Sequence, residues 1–113
     1  MIVRIYTGSD GQSHFEDIDL KYQQSGSSAS TPSEKPEGMT FRTQVPGTDM
    51  GFHPAPRRQY IVSLSGQVEV GLGGGEKRVF GAGDVMLADD TTGQGHTTRV
   101  VGNEPRVSIV IPV

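Results

Sequence analysis

The sequence predicts an all-β domain, a barrel or sandwich of short strands, and three observations predict it. Sixteen glycines and seven prolines in 113 residues indicate many turns. Apolar and polar residues alternate in several short segments, with a period of two that is typical of strands. Turn sequences such as GGGE, GAGD and GNEP separate these segments at nearly every ten residues, which favours an antiparallel arrangement over βαβ units.

The predicted elements follow from these patterns in chain order. IVRIY, residues 2–6, is the first strand, and SHFEDIDLKY fits either a short strand or a helical turn. Residues 25–38, SGSSASTPSEKPEG, are polar and rich in helix and strand breakers, so we expect a flexible loop there. Seven further strands are predicted in the segments MTFRTQV, RRQYIVSLS, QVEVGL, KRVF, DVMLA, TTRVVG and RVSIVIPV.

Length and charge restrict the domain organisation and the partners. A chain of 113 residues builds one hydrophobic core, so residues 1–113 are expected to form a single domain. A formal net charge of -3 without a basic stripe argues against a nucleic-acid partner. No apolar run approaches the length that spans a bilayer, and the N-terminus lacks the apolar region of a signal peptide, so no membrane partner and a cytoplasmic location are expected.

The absence of cysteine limits the chemistry of any site. It excludes disulfides, thiolate metal sites and a cysteine nucleophile, so nitrogen and oxygen ligands would have to hold a metal. Three histidines are present, His14, His53 and His96. His14 lies in SHFED before the polar segment and is expected to be exposed or packed rather than a ligand.

Two stretches within residues 47–96 carry a recognisable spacing. Gly47 is followed after five residues by His53, after one more by Ala55, after three by Gln59 and after six by Gly66. Further on, GDVMLADDTTGQGH begins with Gly83 and ends with His96. These stretches resemble the two motifs of the small cupins, with alanine and glutamine where that family has its second histidine and its glutamate, and with His96 two residues late.

The resemblance implies a cupin jelly-roll β-barrel and a pocket inside it. Carried over by position, it implies a divalent metal, iron, manganese, nickel or zinc, held by His53, Gln59 and His96, while Ala55 supplies no donor. A neutral amide oxygen binds a hard cation less tightly than a carboxylate, so the metal site is expected to be weak or retuned. A pocket that binds no metal is the equally weighted alternative.

Two arginines next to this motif are candidates for orienting a substrate. If residues 53–63 form one strand, alternate side chains share a face, which places Arg57 inward beside His53 and Gln59. A guanidinium there could bind a carboxylate or oxyanion through two hydrogen bonds. Pro54 and Pro56 could mark a bulge that instead turns Arg58 inward, and the sequence leaves this choice open.

The loop before His96 and the last strand complete the predictions. Asp89 and Asp90 are interpreted as turn-building residues, since Asp in such loops bonds to the backbone. The final strand is apolar on both faces because Val110 interrupts the polar alternation. A small barrel has one interior, so the second face needs a cover, either the N-terminal strand or another subunit, and a homodimer is expected.

Three functions fit these observations. The first is an enzyme that uses a divalent metal on a small polar or anionic organic molecule, as an isomerase, lyase or dioxygenase. The second is a metal-free cupin that binds such a molecule as a sensor or accessory module without turnover. The third is a metal-free catalyst in which His53 or His96 acts as the general base.

Overall fold

The computed structural model describes residues 1–113 as twelve β-strands. In chain order, the strands are β1 (Ile2–Thr7), β2 (Ser13–Asp17), β3 (Gln23–Ser25), β4 (Ser28–Ser30), β5 (Thr40–Gln44), β6 (Asp49–His53), β7 (Gln59–Ser65), β8 (Gln67–Gly71), β9 (Lys77–Phe80), β10 (Val85–Asp89), β11 (His96–Val101) and β12 (Arg106–Pro112). The predicted all-β class is confirmed. The structure has no helix that could cross a membrane.

Ten of these strands form two sheets that pack face to face. The larger sheet has the order β2-β1-β10-β7-β12-β5, and the smaller has the order β6-β11-β8-β9. Every pair is antiparallel except β1 and β10, which run parallel from the Ile2–Val85 pair onward. The antiparallel arrangement that the sequence favours therefore holds for every pair of the two sheets except this one. The sheets do not close into a continuous barrel, so the fold is a jelly-roll sandwich.

The apolar core fills one side of the space between the sheets. Nine buried side chains form it, drawn from both sheets: Val3, Ile5, Ile61, Val68, Val70, Leu72, Phe80, Met86 and Val110. Val3 and Ile5 of β1 and Val70 of β8 are fully buried. Each such side chain contributes about 1.5–3 kcal/mol when it leaves water, so this cluster supplies the main stabilisation.

The other side of the same interior is polar. It lies where β5, β12 and the start of β7 face β6 and the start of β11. Strand alternation turns Arg42 and Gln44 of β5 inward, and in β12 it buries Arg106 and Ser108. Gln59, at the start of β7, is also buried. One interior therefore contains two regions, an apolar one and a polar one.

Two sequence predictions differ from the structure in the loops. Residues 25–38 were predicted to form a loop; residues 31–38 contain no strand, but Ser28–Ser30 pairs with Gln23–Ser25 as an exposed hairpin. Residues 53–63 do not form one strand, because β6 ends at His53 and β7 begins only at Gln59. The residues between, which include Pro54 and Pro56, follow no strand alternation, since proline cannot donate to a sheet ladder.

The last strand lies inside the larger sheet. β12 pairs with β7 on one side and with β5 on the other, and the N-terminal strand β1 pairs elsewhere, with β10 and β2. Its inward side chains include Arg106 and Val110, while Val107, Ile109 and Ile111 point outward and are half-buried. The N-terminal strand was one of the two covers predicted for the outer face of β12. It does not cover this face, because it lies in the same sheet.

Candidate functional site

The polar region encloses a cavity of about 150 Å³. The larger sheet contributes Arg42, Gln44, Gln59, Ile61, Met86, Ala88 and Arg106 to its wall, and the smaller sheet contributes Met50, His53, His96 and Thr98, with Ala55 and Pro56 between them. An engineered cavity of about this volume holds a benzene molecule, so a ligand of about six heavy atoms is the size that fits.

A second and larger concavity lies elsewhere on the surface. It measures about 520 Å³ and is lined by residues at strand ends and in turns, among them Leu64, Gln67, Asn103 and Glu104. Glu104 is the one ionisable residue in its wall, and the wall contains no histidine or arginine. The 150 Å³ cavity, which is lined by histidines and arginines, is therefore the candidate functional site.

Two of the predicted site residues, His53 and His96, lie side by side in this cavity. They are direct partners across β6 and β11, and their ring centroids are 4.8 Å apart. Gly95 makes this approach possible, because it has φ +79° and a Cβ there would overlap the carbonyl group of His53. The two histidines predicted from separate motifs thus belong to one site.

Hydrogen bonds determine which nitrogen of each imidazole ring remains free to bind a ligand. Nδ1 of His53 lies 2.7 Å from the carbonyl oxygen of Gly51, and a carbonyl can only accept, so this nitrogen carries the proton. Nδ1 of His96 lies 2.6 Å from Oδ2 of Asp90, which also accepts from the Ser13 hydroxyl at 2.6 Å. In the neutral form of each ring, Nε2 therefore bears the lone pair.

Asp90 is a site residue that the sequence reasoning missed. It was interpreted as a turn builder, but its side chain is fully buried beneath His96, and its Oδ1 atom has no hydrogen-bond partner. The available signal was the alternation at the end of β10, where Met86 and Ala88 point inward and Asp90 continues the same face. Asp89 points away and contacts Arg4 at 2.9 Å.

Gln59 and Ala55 occupy the positions that the motif spacing predicts. Both are buried and line the cavity. The backbone nitrogen of Ala55 donates to the carbonyl oxygen of Asp90 at 2.9 Å, which ties this segment to the loop that leads to His96. With only a methyl group at Ala55, space remains beside the two imidazoles.

The arginines chosen from the sequence are not the arginines of the cavity. Arg57 and Arg58 are both exposed, and neither lines it. Arg58 instead approaches Asp89 at 3.5 Å on the surface. The prediction failed because residues 54–58 lie outside any strand, so the alternation that would have turned one of them inward does not apply.

Arg42 and Arg106 are the guanidinium groups that face the cavity. Arg106 is 3 % exposed, and its one side-chain hydrogen bond runs from Nη1 to Gln44 Oε1 at 3.3 Å. Nε and Nη2 of Arg106 and Nε of Arg42 are buried without partners. Neither arginine belongs to any ion pair of the structure, and no carboxylate lines the cavity.

Burial without a counter-ion affects the acidity of both groups. Desolvation lowers the pKa of Arg106 to about 10, and repulsion from Arg42 adds to the effect. Desolvation also lowers the pKa of Arg42 below its ordinary value. Buried cations are paired as a rule, so two unpaired guanidiniums in one cavity lack an anion.

The residues that the resemblance assigns to a metal have donor atoms that could bind one. Nε2 of His53, Nε2 of His96 and the amide oxygen of Gln59 all belong to cavity residues, and the Nδ1 hydrogen bonds are those that orient metal-binding histidines. The charge is less favourable, because no group of three or more histidine, aspartate or glutamate residues is present and two guanidiniums lie nearby.

Comparisons with known proteins agree with the architecture. No protein-family model matches the chain, and no curated protein matches it in sequence. Among solved structures, it is similar to a cupin 2 conserved barrel domain protein from Salinispora arenicola, with a TM-score of 0.52 and 20% identity over 65% of this chain. The match spans 59% of that Salinispora chain.

A second similar structure is a conserved protein of unknown function from Streptococcus pyogenes, with a TM-score of 0.50 and 18% identity. It matches over 74% of this chain and 70% of its own. At such identities the likeness establishes the fold alone. The expected cupin fold is confirmed.

Proposed function

We propose that this cupin-fold protein binds a small organic anion, such as a carboxylate of about six heavy atoms, between Arg42 and Arg106. The observation that carries the proposal is the pair of guanidiniums in one cavity, Arg106 buried and Arg42 half-buried, without a counter-ion. Guanidinium groups bind carboxylates through paired, charge-assisted hydrogen bonds. Arg42 and Arg106 both line the cavity, and three of their guanidinium nitrogens have no hydrogen-bond partner in the protein.

The cavity volume and its mixed wall support the same ligand class. About 150 Å³ accepts a short chain and excludes a nucleotide or a sugar phosphate. Ile61, Met86 and Ala88 form an apolar patch for the carbon skeleton, opposite the polar groups that would fix its orientation.

The test is calorimetric titration of metal-stripped protein with a panel of short carboxylates. We expect saturable binding by the wild type, loss of binding in Arg106→Met, and unchanged binding in the matched variant Arg57→Met, whose side chain is exposed outside the cavity. Thermal unfolding adds a second readout, since a ligand at 100 times its Kd stabilises by about 2.7 kcal/mol. Equal affinities of Arg106→Met and wild type would contradict the proposal.

A divalent metal on His53, Gln59 and His96 is the second candidate, and it is favoured by the Nδ1 hydrogen bonds that leave both Nε2 atoms with lone pairs. A bound metal would supply Lewis-acid chemistry for an isomerase, lyase or dioxygenase. The anion would then offset the positive charge of the arginines. Without metal, the protein would be a binding module.

Elemental mass spectrometry separates these alternatives. It is performed on protein purified without chelator or affinity tag, for the wild type and for His53→Ala. Near-stoichiometric iron, manganese, nickel or zinc that disappears in the variant would establish the metal centre. Metal absent from both, with carboxylate binding retained, would establish the metal-free module.

The proposed partner surface of a homodimer is the outer face of the larger sheet. Strand register places five apolar residues side by side across it, the outer row Phe41, Ile109, Val62, Val85 and Ile2. Phe41 is 66% exposed and the nearby Leu64 is 44% exposed. A row of this kind on a second copy would cover it by two-fold symmetry.

The cytoplasmic location stays a prediction.

A further inference from the structure

The wall of the cavity opposite the arginines is specific in its hydrogen-bonding character. His53 and His96 both have Nδ1 committed as a donor, to a backbone carbonyl and to a buried carboxylate. Neither partner donates to a ring nitrogen, because the Gly51 carbonyl has no hydrogen and Asp90, as a carboxylate that accepts from Ser13, has none either. In the metal-free protein, the neutral rings therefore offer two acceptors, both called Nε2, on one side of the cavity.

The two sides of the cavity are therefore complementary to different ligand groups, an anionic acceptor on one side and a hydrogen-bond donor on the other. The guanidinium groups of Arg42 and Arg106 offer only donors and positive charge, so they take the carboxylate. The imidazole side offers acceptors at two rings whose centroids are 4.8 Å apart, so it takes a hydrogen-bond donor. The nearby guanidiniums disfavour a cationic donor such as an ammonium group.

From this arrangement we infer that the ligand is a small hydroxycarboxylate, whose carboxylate binds Arg42 and Arg106 and whose hydroxyl donates to the imidazole Nε2 atoms. This inference rests on the proposed anion site and specifies its ligand. It also assigns a role to Asp90, which acts as a positioning residue by holding the proton of His96 on Nδ1. Ser13 supports it by donating to the same Oδ2 atom.

The test compares five ligands of the same three-carbon length in EDTA-treated protein at about pH 8, where a free imidazole is neutral: lactate, 3-hydroxypropionate, propionate, pyruvate and alanine. We expect at least one hydroxy acid to bind about tenfold more tightly than propionate, the value of one good hydrogen bond. Pyruvate, whose keto oxygen meets a second acceptor, should bind no better than propionate.

The variant Asp90→Asn tests the positioning role. An amide at this position can donate to Nδ1, which moves the ring proton to Nε2 and turns that atom into a donor. The ratio of hydroxy-acid to pyruvate affinity should then fall by about tenfold or invert. Asp89→Asn is the matched control, because the Asp89 carboxylate lies outside the cavity and pairs with Arg4, so this variant should keep the wild-type ratio. Nitrogen-15 NMR of the histidines reads the tautomers directly, without any ligand.

The outcomes are distinct for the two proposals. If propionate binds as tightly as both hydroxy acids, if alanine is preferred, or if wild-type His96 carries its proton on Nε2, the hydroxycarboxylate inference is overturned while the anion site stands. A hydroxyl preference that appears only after metal is added overturns it as well. If neither these acids nor any other short carboxylate binds, the anion site itself fails.

Discussion

Arg42 and Arg106 lie in the same cavity with no carboxylate between them, and each makes the charge of the other more costly. Repulsion from Arg42 adds to desolvation in lowering the pKa of Arg106 to about 10. A cation whose pKa is lowered on folding destabilises the folded state wherever the unfolded chain holds the proton. The unliganded protein is thus less stable than an apolar cavity would make it.

Arg106→Met is therefore expected to raise the free energy of unfolding of the unliganded protein, by about 1–3 kcal/mol at neutral pH. This gain in the free energy of unfolding is complete at all pH values below about 10, where Arg106 is charged in both the folded and the unfolded wild type. The gain shrinks above a pH of about 10, because Arg106 then loses its proton in the folded wild type and its burial no longer destabilises the fold. Urea unfolding of both proteins at pH values on either side of that point measures this; a difference that does not change with pH would contradict it.

Gly95→Ala is expected to destabilise the site and the fold together, by about 3 kcal/mol or more. The new Cβ would meet the carbonyl group of His53, and the φ of +79° strains any residue other than glycine. Gly74→Ala is the control, because no atom lies within 4 Å of its Cβ position. Thermal unfolding of both variants is the measurement, and similar Tm values for the two would refute the role given to Gly95.

Ser13→Ala is expected to cost about 1–3 kcal/mol of stability. The substitution removes a 2.6 Å hydrogen bond to a fully buried carboxylate, whose other oxygen already lacks a partner. Ser25→Ala in the exposed hairpin should stay within about 0.5 kcal/mol of wild type. Chemical denaturation compares them. Indistinguishable midpoints would mean that Ser13 does not support Asp90.

Ile109→Lys is expected to convert a dimer into a monomer. Ile109 lies in the outer row between Phe41 and Val62, where a lysine would place a charge against the partner's apolar row. Ser28→Lys on the exposed hairpin adds the same charge away from this face and should leave the dimer intact. Light scattering after size exclusion gives the mass of each. A monomeric wild type would remove this surface from consideration.

Much of the fold was predictable because it depends on local pattern. The strands around Tyr60, Val70 and Val110 were recognised from alternation and turn residues, and the motif spacing brought His53 and His96 together correctly. The parallel pairing of β1 with β10 was not predictable, since it joins segments 83 residues apart at Ile2 and Val85. Register between distant strands depends on tertiary packing, which a single sequence does not report.

The site was predicted only where a motif covered it. Arg57 and Arg58 were chosen because the strand was assumed to continue through Pro54 and Pro56, and the break at these residues removed the basis for that choice. Arg42 and Arg106 were overlooked because each lies in an ordinary amphipathic strand, where the sequence alone does not decide which face points inward. That decision depends on the neighbouring strands, which for Arg106 are β7 and β5.

The separation of the interior into an apolar region and a polar region has an evolutionary consequence. Most residues of the apolar core, such as Val3, Val70 and Phe80, contribute nothing to the wall of the cavity, and only Ile61 and Met86 belong to both. Side chains that would recognise the ligand can therefore be exchanged with limited risk of unfolding. A lineage that carries this domain could change its small-molecule partner through a few substitutions in β5, β6 and β12, with the scaffold left as it is.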